Sequence, residues 1–440
     1  LVVASAAGKA GTLSNSEGYF ALRGIAAGTC VLTVSYIGYE VHRDTLLLAA
    51  GQDLRRNIEL TREILRLEEV VVEAEADPVE YELSKQPSVV ALKMKNLKQM
   101  PAIGETDLLR SLQLLPGVQS ASDFSSGLYV RGGGPDQTGI YLDQMRLYNP
   151  SHAFGFFSTF NPDAIRDVAL YKGAYPAQYG GSLGAVLDVQ NRDGNRRNFS
   201  TSGGVSLISS HLMSEGPLGA GSWMVAGRRT YIDPVLRVVQ SKTETLDNLG
   251  YYFYDLNAKV NNQPTDSDNL TFSAYLGRDR LNINIGDETE TFFDIDWGNR
   301  AFASRWTHIF SPEFFGRLIA QYSEYESDIS LSIFDTPIAI RNRVRDLSLK
   351  ADIDYFASAN HTLRSGLSLT RFRFDYGFEF NQEFTNLRVT PLLASLYAQD
   401  DWQLTPLTEA RLGLRAPDRA HDMQKVRRRR AEPLLLNQHT

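Results

Sequence analysis

The sequence predicts a mainly β protein: a small β-sandwich, then an α+β domain, then a partial antiparallel transmembrane β-barrel of about ten strands. Three observations predict this. Short runs such as Leu128/Val130 and Ile140/Leu142 alternate apolar with polar residues and are closed by glycine or proline, which marks strands joined by tight turns. From about residue 200 the pattern becomes strand, short turn, strand, long loop, the alternation of an outer-membrane barrel. The clearest strand sets Phe372, Phe374, Tyr376, Phe378 and Phe380 at a period of two, with Arg371, Arg373, Asp375 and Glu379 between them.

Composition narrows the function classes. The 440 residues accommodate two or three domains, and the single Cys30 excludes an internal disulfide framework. A net charge of −7 and a pI near 5.6 argue against a nucleic-acid partner, which calls for a basic excess. No window approaches 18 consecutive apolar residues, so no transmembrane helix is expected. A barrel remains open, because its alternating strands carry a weak hydropathy signal, and a mean hydropathy of −0.26 is compatible with one.

Catalytic chemistry has little to stand on. The histidines are scattered, no H-E-x-x-H or H-x-H occurs, and no G-x-S-x-G elbow appears. Neither a catalytic residue, a metal nor a cofactor is expected. The pairs Asp294/Asp296 and Asp352/Asp354 each share one face of a strand and read as solvated carboxylates of a wet lumen.

Residues 1–62 read as the β-sandwich. Cys30, Leu32, Val34 and Tyr36 alternate with Thr29, Val31, Thr33 and Ser35, and glycines punctuate the strands. The segments Gly11 to Phe20 and Val34 to Tyr39 resemble the carboxypeptidase-regulatory-like domain that precedes the plug of many Bacteroidetes receptors, a name that implies no peptidase. Such domains usually begin one strand earlier, so a signal peptide and a first strand are expected upstream of Leu1.

Residues 63–88 form a linker. In Glu69-Val70-Val71-Val72, three consecutive β-branched residues inside an acidic, proline-containing stretch suit pairing with an outside strand, because an extended segment offers free backbone donors and acceptors. This segment resembles a TonB box.

Residues 89–195 form the α+β domain. Leu108, Leu109, Leu112 and Leu115 fall at helical spacing after Thr106-Asp107 and are stopped by Pro116-Gly117, which makes them core. Asn161-Pro162-Asp163 supplies an N-cap, a first-turn proline and an acid, so one helical turn is predicted before a strand at Val168 to Tyr171. Gly132 to Gly134 are a turn rather than a phosphate cradle, because Pro135-Asp136-Gln137 provides neither Gly-Lys-Ser/Thr nor G-x-G-x-x-G. The ordered motifs Arg131-Gly132-Gly133, Leu142-Asp143, Tyr148-Asn149-Pro150 and Tyr179-Gly180-Gly181 resemble the plug domain of TonB-dependent outer-membrane receptors. Gln144 departs from the glycine that many plugs have there, so a differently shaped turn is expected. The resemblance implies that charged groups such as Arg131 and Asp143 face the barrel wall.

Residues 196–415 are the barrel. Strands are predicted near 202–214, 221–231, 251–261, 268–277, 294–309, 314–327, 341–356, 361–378, 392–404 and 408–415, with long loops at about 232–250, 278–293 and 328–340. The Phe372 to Phe380 stripe is expected to meet lipid and the charges between it to line a wet interior, with a bulge near residue 370 because Leu367 and Leu369 have the opposite parity. Aromatics at Tyr251 to Tyr254, Phe314-Phe315 and Tyr355-Phe356 suggest girdles. Residues 416–440, with Arg427 to Arg430, read as a non-native tail, and further barrel strands are expected beyond the chain.

Together the resemblances imply active transport of a scarce, bulky solute (an iron-siderophore, cobalamin or an oligosaccharide) across the cell outer membrane. The implied partners are TonB on the periplasmic side, outer-membrane lipid, and a solute whose identity the loops would set, with a surface lipoprotein as a further candidate. The alternative is a secreted or surface β-rich adhesin without transport.

Overall fold

A computed structural model describes residues 2–5, 11–14, 18–23, 25–36, 39–52, 54–60, 88–93, 106–120, 126–206, 208–231, 248–285, 291–333, 336–358, 360–381, 383–405, 408–420 and 427–430. In the N-terminal domain, strands β1 (Val2–Ser5), β2 (Gly11–Leu13), β3 (Gly28–Ser35) and β4 (His42–Leu48) form one antiparallel sheet in the order β2-β1-β3-β4. The alternation of β3 buries Cys30, Leu32 and Val34 on one face, which Phe20, Leu22, Ile58 and Leu60 cover.

The central domain contains β5 (Val89–Lys93), helix α1 (Leu108–Gln113), β6 (Val118–Gln119), β7 (Tyr129–Val130), β8 (Gly139–Leu142), β9 (Met145–Arg146), β10 (Ser151–His152), β11 (Phe157–Ser158), β12 (Ile165–Tyr171) and β13 (Val186–Asn191). Its main sheet runs β5-β12-β13-β8-β9, with β13 and β8 parallel. Asp107 caps α1 by accepting the Arg110 N–H, and Leu108, Leu109 and Leu112 are buried as their spacing predicts. The turn expected to be helical at Asn161 is not. The Asn161 side chain accepts the Asp163 N–H at 3.0 Å and its carbonyl accepts Ala164 at 3.1 Å, but β12 already begins at Ile165. A ladder on both sides, to β5 and to β13, outcompetes helical propagation there.

The third part is a sheet of 13 strands: β14 (Ser200–Val205), β15 (Ser209–Leu218), β16 (Gly221–Thr230), β17 (Asn248–Thr265), β18 (Asp268–Ile285), β19 (Thr291–Ser311), β20 (Phe314–Ile333), β21 (Thr336–Phe356), β22 (His361–Phe380), β23 (Glu383–Val389), β24 (Leu392–Thr405), β25 (Thr408–Ala420) and β26 (Arg427–Arg430). Every pairing within it is antiparallel. The first expected strand is a hairpin, turned where Ser206 N–H donates to the Ser209 carbonyl. No long loop occupies 328–340: the ladder runs on to Ile333↔Thr336, and most of 278–293 is strand as well. Arg427–Arg430 pairs with β23.

Register fixes the two faces. Paired residues of antiparallel strands share a face. Tyr355, Ile353, Leu349 and Leu347 of β21 are exposed, and their partners on the neighbouring strands include Leu363, Leu369, Phe314 and Tyr322. Tyr355 to Leu347 spans about 26 Å along the strand at ~3.3 Å per residue, which at a tilt of about 40° rises about 20 Å and covers most of an apolar band of roughly 25 Å. The opposite face, with Lys259, Asp255, Tyr275 and Asp346, holds the central domain.

This register reverses the expectation for the aromatic stripe. β21 and β22 pair without a shift from Ile338↔Phe380 to Phe356↔Thr362, so no bulge lies near residue 370. Phe372 is opposite Asp346, and Phe374 to Phe380 are opposite Val344, Asn342, Ile340 and Ile338, on the inner face. Arg371, Arg373 and Asp375 therefore lie outside. The parity change in the sequence reflects height, not a bulge: the outer face is apolar up to Leu369 and charged beyond it. Asp294 and Asp296 are likewise outward, opposite Asn282 and Arg280, whereas Asp352 and Asp354 face inward. Of the expected girdle residues, Phe314 and Tyr355 pair on the outer face beside the short turns, while Tyr251 and Phe253 turn inward.

The N-terminal domain meets the short turns. Tyr19 donates to the Pro312 carbonyl at 2.8 Å and stacks on Phe315 at 4.9 Å, and Arg23 pairs with Glu313 at 2.9 Å.

Candidate functional site

The site is the boundary between the central domain and the inner face of the large sheet. Asp143 and Gln144 join β8 to β9 in a two-residue hairpin, with φ of +46° and +71°. Positive φ at both positions is the type I′ geometry whose twist matches paired strands, and Gln144 adopts it without glycine's freedom. The turn aims Asp143 at the wall. Lys259 of β17 donates to it at 3.0 Å, pairs with Asp193 at 2.8 Å and donates to the Asn191 carbonyl at 3.0 Å. Asn191 in turn donates its backbone and side-chain N–H groups to Asp143 at 3.1 and 2.9 Å. Lys259 is only 2% exposed, so these partners replace the water that its ammonium has lost.

A second cluster surrounds His152, which ends β10. Its Nε2 lies 2.7 Å from Asp255 of β17 and its Nδ1 2.5 Å from Asp279 of β18, while the ring stacks on Phe253 at 4.2 Å. Arg228 of β16 donates to Asp255 at 2.5 Å and to the Ser158 carbonyl at 2.7 Å, and Tyr275 and Tyr251 donate to the two carboxylates. Burial opposes the imidazolium, but Asp255 and Asp279 outweigh that penalty and push the His152 pKa up to about 9. Two cations then balance two anions in a dry site.

The stretch Tyr148 to Phe156 reaches further along the lumen. Tyr148 hydrogen-bonds Asp346, and Asn299 donates to the Asn149 carbonyl at 2.6 Å. Phe154, at φ +56° and 66% exposed, packs on Trp297 at 4.7 Å. An exposed aromatic at positive φ, beside an inner wall that carries Trp297, Tyr325 and the Phe372 to Phe380 stripe, gives this end a surface suited to planar or apolar groups.

The residues singled out from sequence are distributed as follows. Glu69, Val70, Val71 and Val72 lie outside the described residues. Arg131 (φ +48°) and Gly132 (φ +84°) are the centre of a two-residue turn closed by Gly133 N–H to the Val130 carbonyl at 2.9 Å. Arg131 is exposed, with its guanidinium 3.4 Å from Ser88 of the same domain, so it is not the wall contact that the resemblance implied for it. Asp143 is such a contact. Tyr179 is buried against Tyr141 and Tyr171, and Gly181 has φ +74°. A Cβ on Gly180 would lie 2.4 Å from Arg415, whose guanidinium holds the Ala177 and Gln178 carbonyls at 3.0 and 3.1 Å. The turn thereby docks on β25.

Sequence reasoning missed Lys259, Asp255, Asp279 and Arg228. A signal was present: Asp255, Asn257, Lys259 and Asn261 are polar at a period of two, against Leu256, Ala258 and Val260. Among the described residues, no group of three or more His, Cys, Asp or Glu is placed to hold a metal ion.

Comparison with known proteins fits this arrangement. Residues 83–186 match the TonB-dependent Receptor Plug Domain and residues 2–72 the CarboxypepD_reg-like domain. Curated proteins give no match. Among solved structures, the chain is similar to a mutant ferric enterobactin receptor from Pseudomonas aeruginosa, with a TM-score of 0.58 and 16% identity over 77% of this chain and 58% of that one. It is similar to the siderophore receptor PirA from Acinetobacter baumannii, with a TM-score of 0.57 and 15% identity over 78% and 58%. It is also similar to the ferric yersiniabactin uptake receptor FyuA from Yersinia pestis, with a TM-score of 0.55 and 13% identity over 76% and 60%. The chain thus spans about three fifths of the length of these structures, and the likeness is one of fold. The central domain is a plug, and the large sheet has the fold of a TonB-dependent receptor barrel, whose homologues are outer-membrane proteins.

Proposed function

We propose that a receptor built on this chain carries a scarce, bulky solute across the outer membrane, with the work supplied by TonB. The observation that carries the reading is a folded plug held by buried ion pairs to one face of a sheet whose other face bears an exposed apolar band. A plug so placed blocks diffusion, and the outer membrane offers neither ATP nor an ion gradient, so force must arrive from the periplasmic side. The short turns and the N-terminal domain define that side, and the segment Glu69 to Val72 is the attachment we assign to TonB. Tension there would reach the plug through β5, the edge strand of its sheet.

Within the solute classes, an iron-siderophore is favoured over an oligosaccharide or cobalamin. Phe154, Trp297 and the inward Phe372 to Phe380 stripe suit aromatic chelating groups, and the three similar structures are named as a ferric enterobactin receptor, a siderophore receptor and a ferric yersiniabactin uptake receptor. The test is uptake of an iron-55-labelled catecholate siderophore in cells with and without TonB, each with and without an uncoupler. Accumulation confined to energised cells containing TonB is expected. Equal uptake in all four conditions would mean a passive pore, and binding without uptake in any would favour an adhesin.

A further inference from the structure

The N-terminal domain touches the large sheet and the plug at once. Arg23 donates to the Phe356 and Ala357 carbonyls at 3.0 and 3.1 Å and pairs with Glu313 at 2.9 Å, which joins the β21–β22 turn to the β19–β20 turn. Arg55 reaches Ser267 and the Asp266 carbonyl in the β17–β18 turn, and Tyr19 adds its bond to Pro312 and its stack on Phe315. With adjacent strands about 4.8 Å apart, three successive turns span roughly 20 Å of the rim. The plug contact is made by Tyr36, whose hydroxyl donates to Asp167 of β12. The neighbouring Arg166 binds Asp167 and Asp193 at 2.6 Å each, and Asp193 lies 2.8 Å from Lys259, the wall cation that holds Asp143. One chain of polar contacts therefore runs from the N-terminal domain to the buried pair between plug and wall.

The two ends of that chain differ in strength. The side chains of Arg23 and Glu313 are 38% and 32% exposed and those of Arg197 and Glu59 74% and 65%, against 2% and 4% for Lys259 and Asp143. Water and salt screen the outer pairs, whereas parting the inner pair strands two charges in a dry place. The tethers differ as well. Glu69 lies nine residues after Leu60, which packs in the N-terminal core, and Val89 of β5 lies 17 residues after Val72. Fully extended, those stretches reach about 30 Å and about 60 Å. A domain of about 60 residues has a radius of gyration near 10 Å, so its depth does not make up the difference.

We infer that the N-terminal domain is a clamp released by force: docked on three turns and on β12, it holds the Arg166, Asp193 and Lys259 network in place, and a pull on Glu69 to Val72 detaches it before the plug moves. The inference rests on the TonB reading above. The shorter tether tightens first and ends on the weaker contacts, so length and strength set the same order of release. A brief pull is absorbed by the clamp, and the buried ion pairs part only under a pull that persists.

The test uses the full-length receptor carrying R23C and E313C, bridged in cells by a membrane-permeant, reducible cross-linker; Cys30 is 1% exposed and out of the reagent's reach. The bridged receptor is expected to bind the catecholate siderophore within about twofold of wild type and to be captured by TonB as wild type is, yet to lose uptake by at least about tenfold, with recovery on reduction. In a second measurement, purified receptor in a bilayer is pulled through bound TonB. Wild type is expected to yield in two steps, and Y19A/R23A, which alters only the docking contacts, in one. Normal uptake by the bridged receptor, loss of its capture by TonB, or a first step that survives Y19A/R23A overturns the inference. Wild-type uptake that is independent of TonB sinks the transport reading instead. TonB-dependent uptake that the bridge leaves untouched sinks the clamp alone.

Discussion

Lys259 Nζ, on the wall, lies 3.0 Å from Asp143 Oδ1, on the plug, with both side chains almost fully buried. Breaking one partner of such a pair leaves a bare charge in a dry place and costs about 3–5 kcal/mol, more than the intact pair is worth against an apolar replacement. Lys259→Met is therefore expected to loosen the plug strongly, and adding Asp143→Asn to restore part of the loss. Entry of a large hydrophilic antibiotic into cells producing each receptor measures it. Entry unchanged by Lys259→Met would mean that the plug is held elsewhere.

The His152 cluster gives the docking a pH dependence. Its folded pKa of about 9 lies above the ordinary value of 6.5, so protonation favours the docked plug. The contribution, up to about 3 kcal/mol, is complete below pH ~6.5 and is lost as pH rises through ~9. The urea concentration that exposes residues 148–158 to limited proteolysis should fall over that window. In His152→Gln it should be lower throughout and nearly flat. A wild-type profile that rises with pH would contradict the assigned charge state.

Gln144 holds φ +71° with a side chain that disfavours it. Gln144→Gly is expected to stabilise the β8–β9 hairpin by about 1 kcal/mol and to slow amide exchange of Met145 and Arg146 by roughly fivefold. No change would place the relief of strain in contacts of the glutamine side chain instead.

What the sequence made legible follows range of interaction. Local signals were read correctly: the α1 leucines, the alternation of β3, and the glycine-closed turns at Gly132 and Gly181 all depend on residues within a few positions. Asn161-Pro162-Asp163 carries genuine capping chemistry, but the ladders to β5 and β13, set by residues far away, decide the outcome. The Phe372 to Phe380 stripe was read with the right period and the wrong face. Period two cannot say which side is lipid, and only the register with β21 ties Phe372 to Asp346 and the lumen. The partners His152 and Asp255 are 103 positions apart, so neither predicts the other until the sheet brings them together.

The last expectation concerns the segment proposed for TonB. Val71→Pro removes one backbone donor and fixes φ, which defeats addition of this segment as a strand to a partner sheet while leaving every plug–wall contact untouched. Surface binding of the siderophore should therefore stay within about twofold of wild type, because Phe154, Trp297 and the inward aromatics keep their positions. Energised uptake should fall to the level seen without TonB. A suppressing substitution in TonB that restores uptake would show that strand pairing, rather than folding of the linker, was lost. Should Val71→Pro take up the siderophore normally, Glu69 to Val72 is not the attachment, and the force must enter through another part of residues 63–88. A proline scan across that linker, read by the same pair of measurements, would then locate it, since only at the true attachment does uptake fail while binding persists.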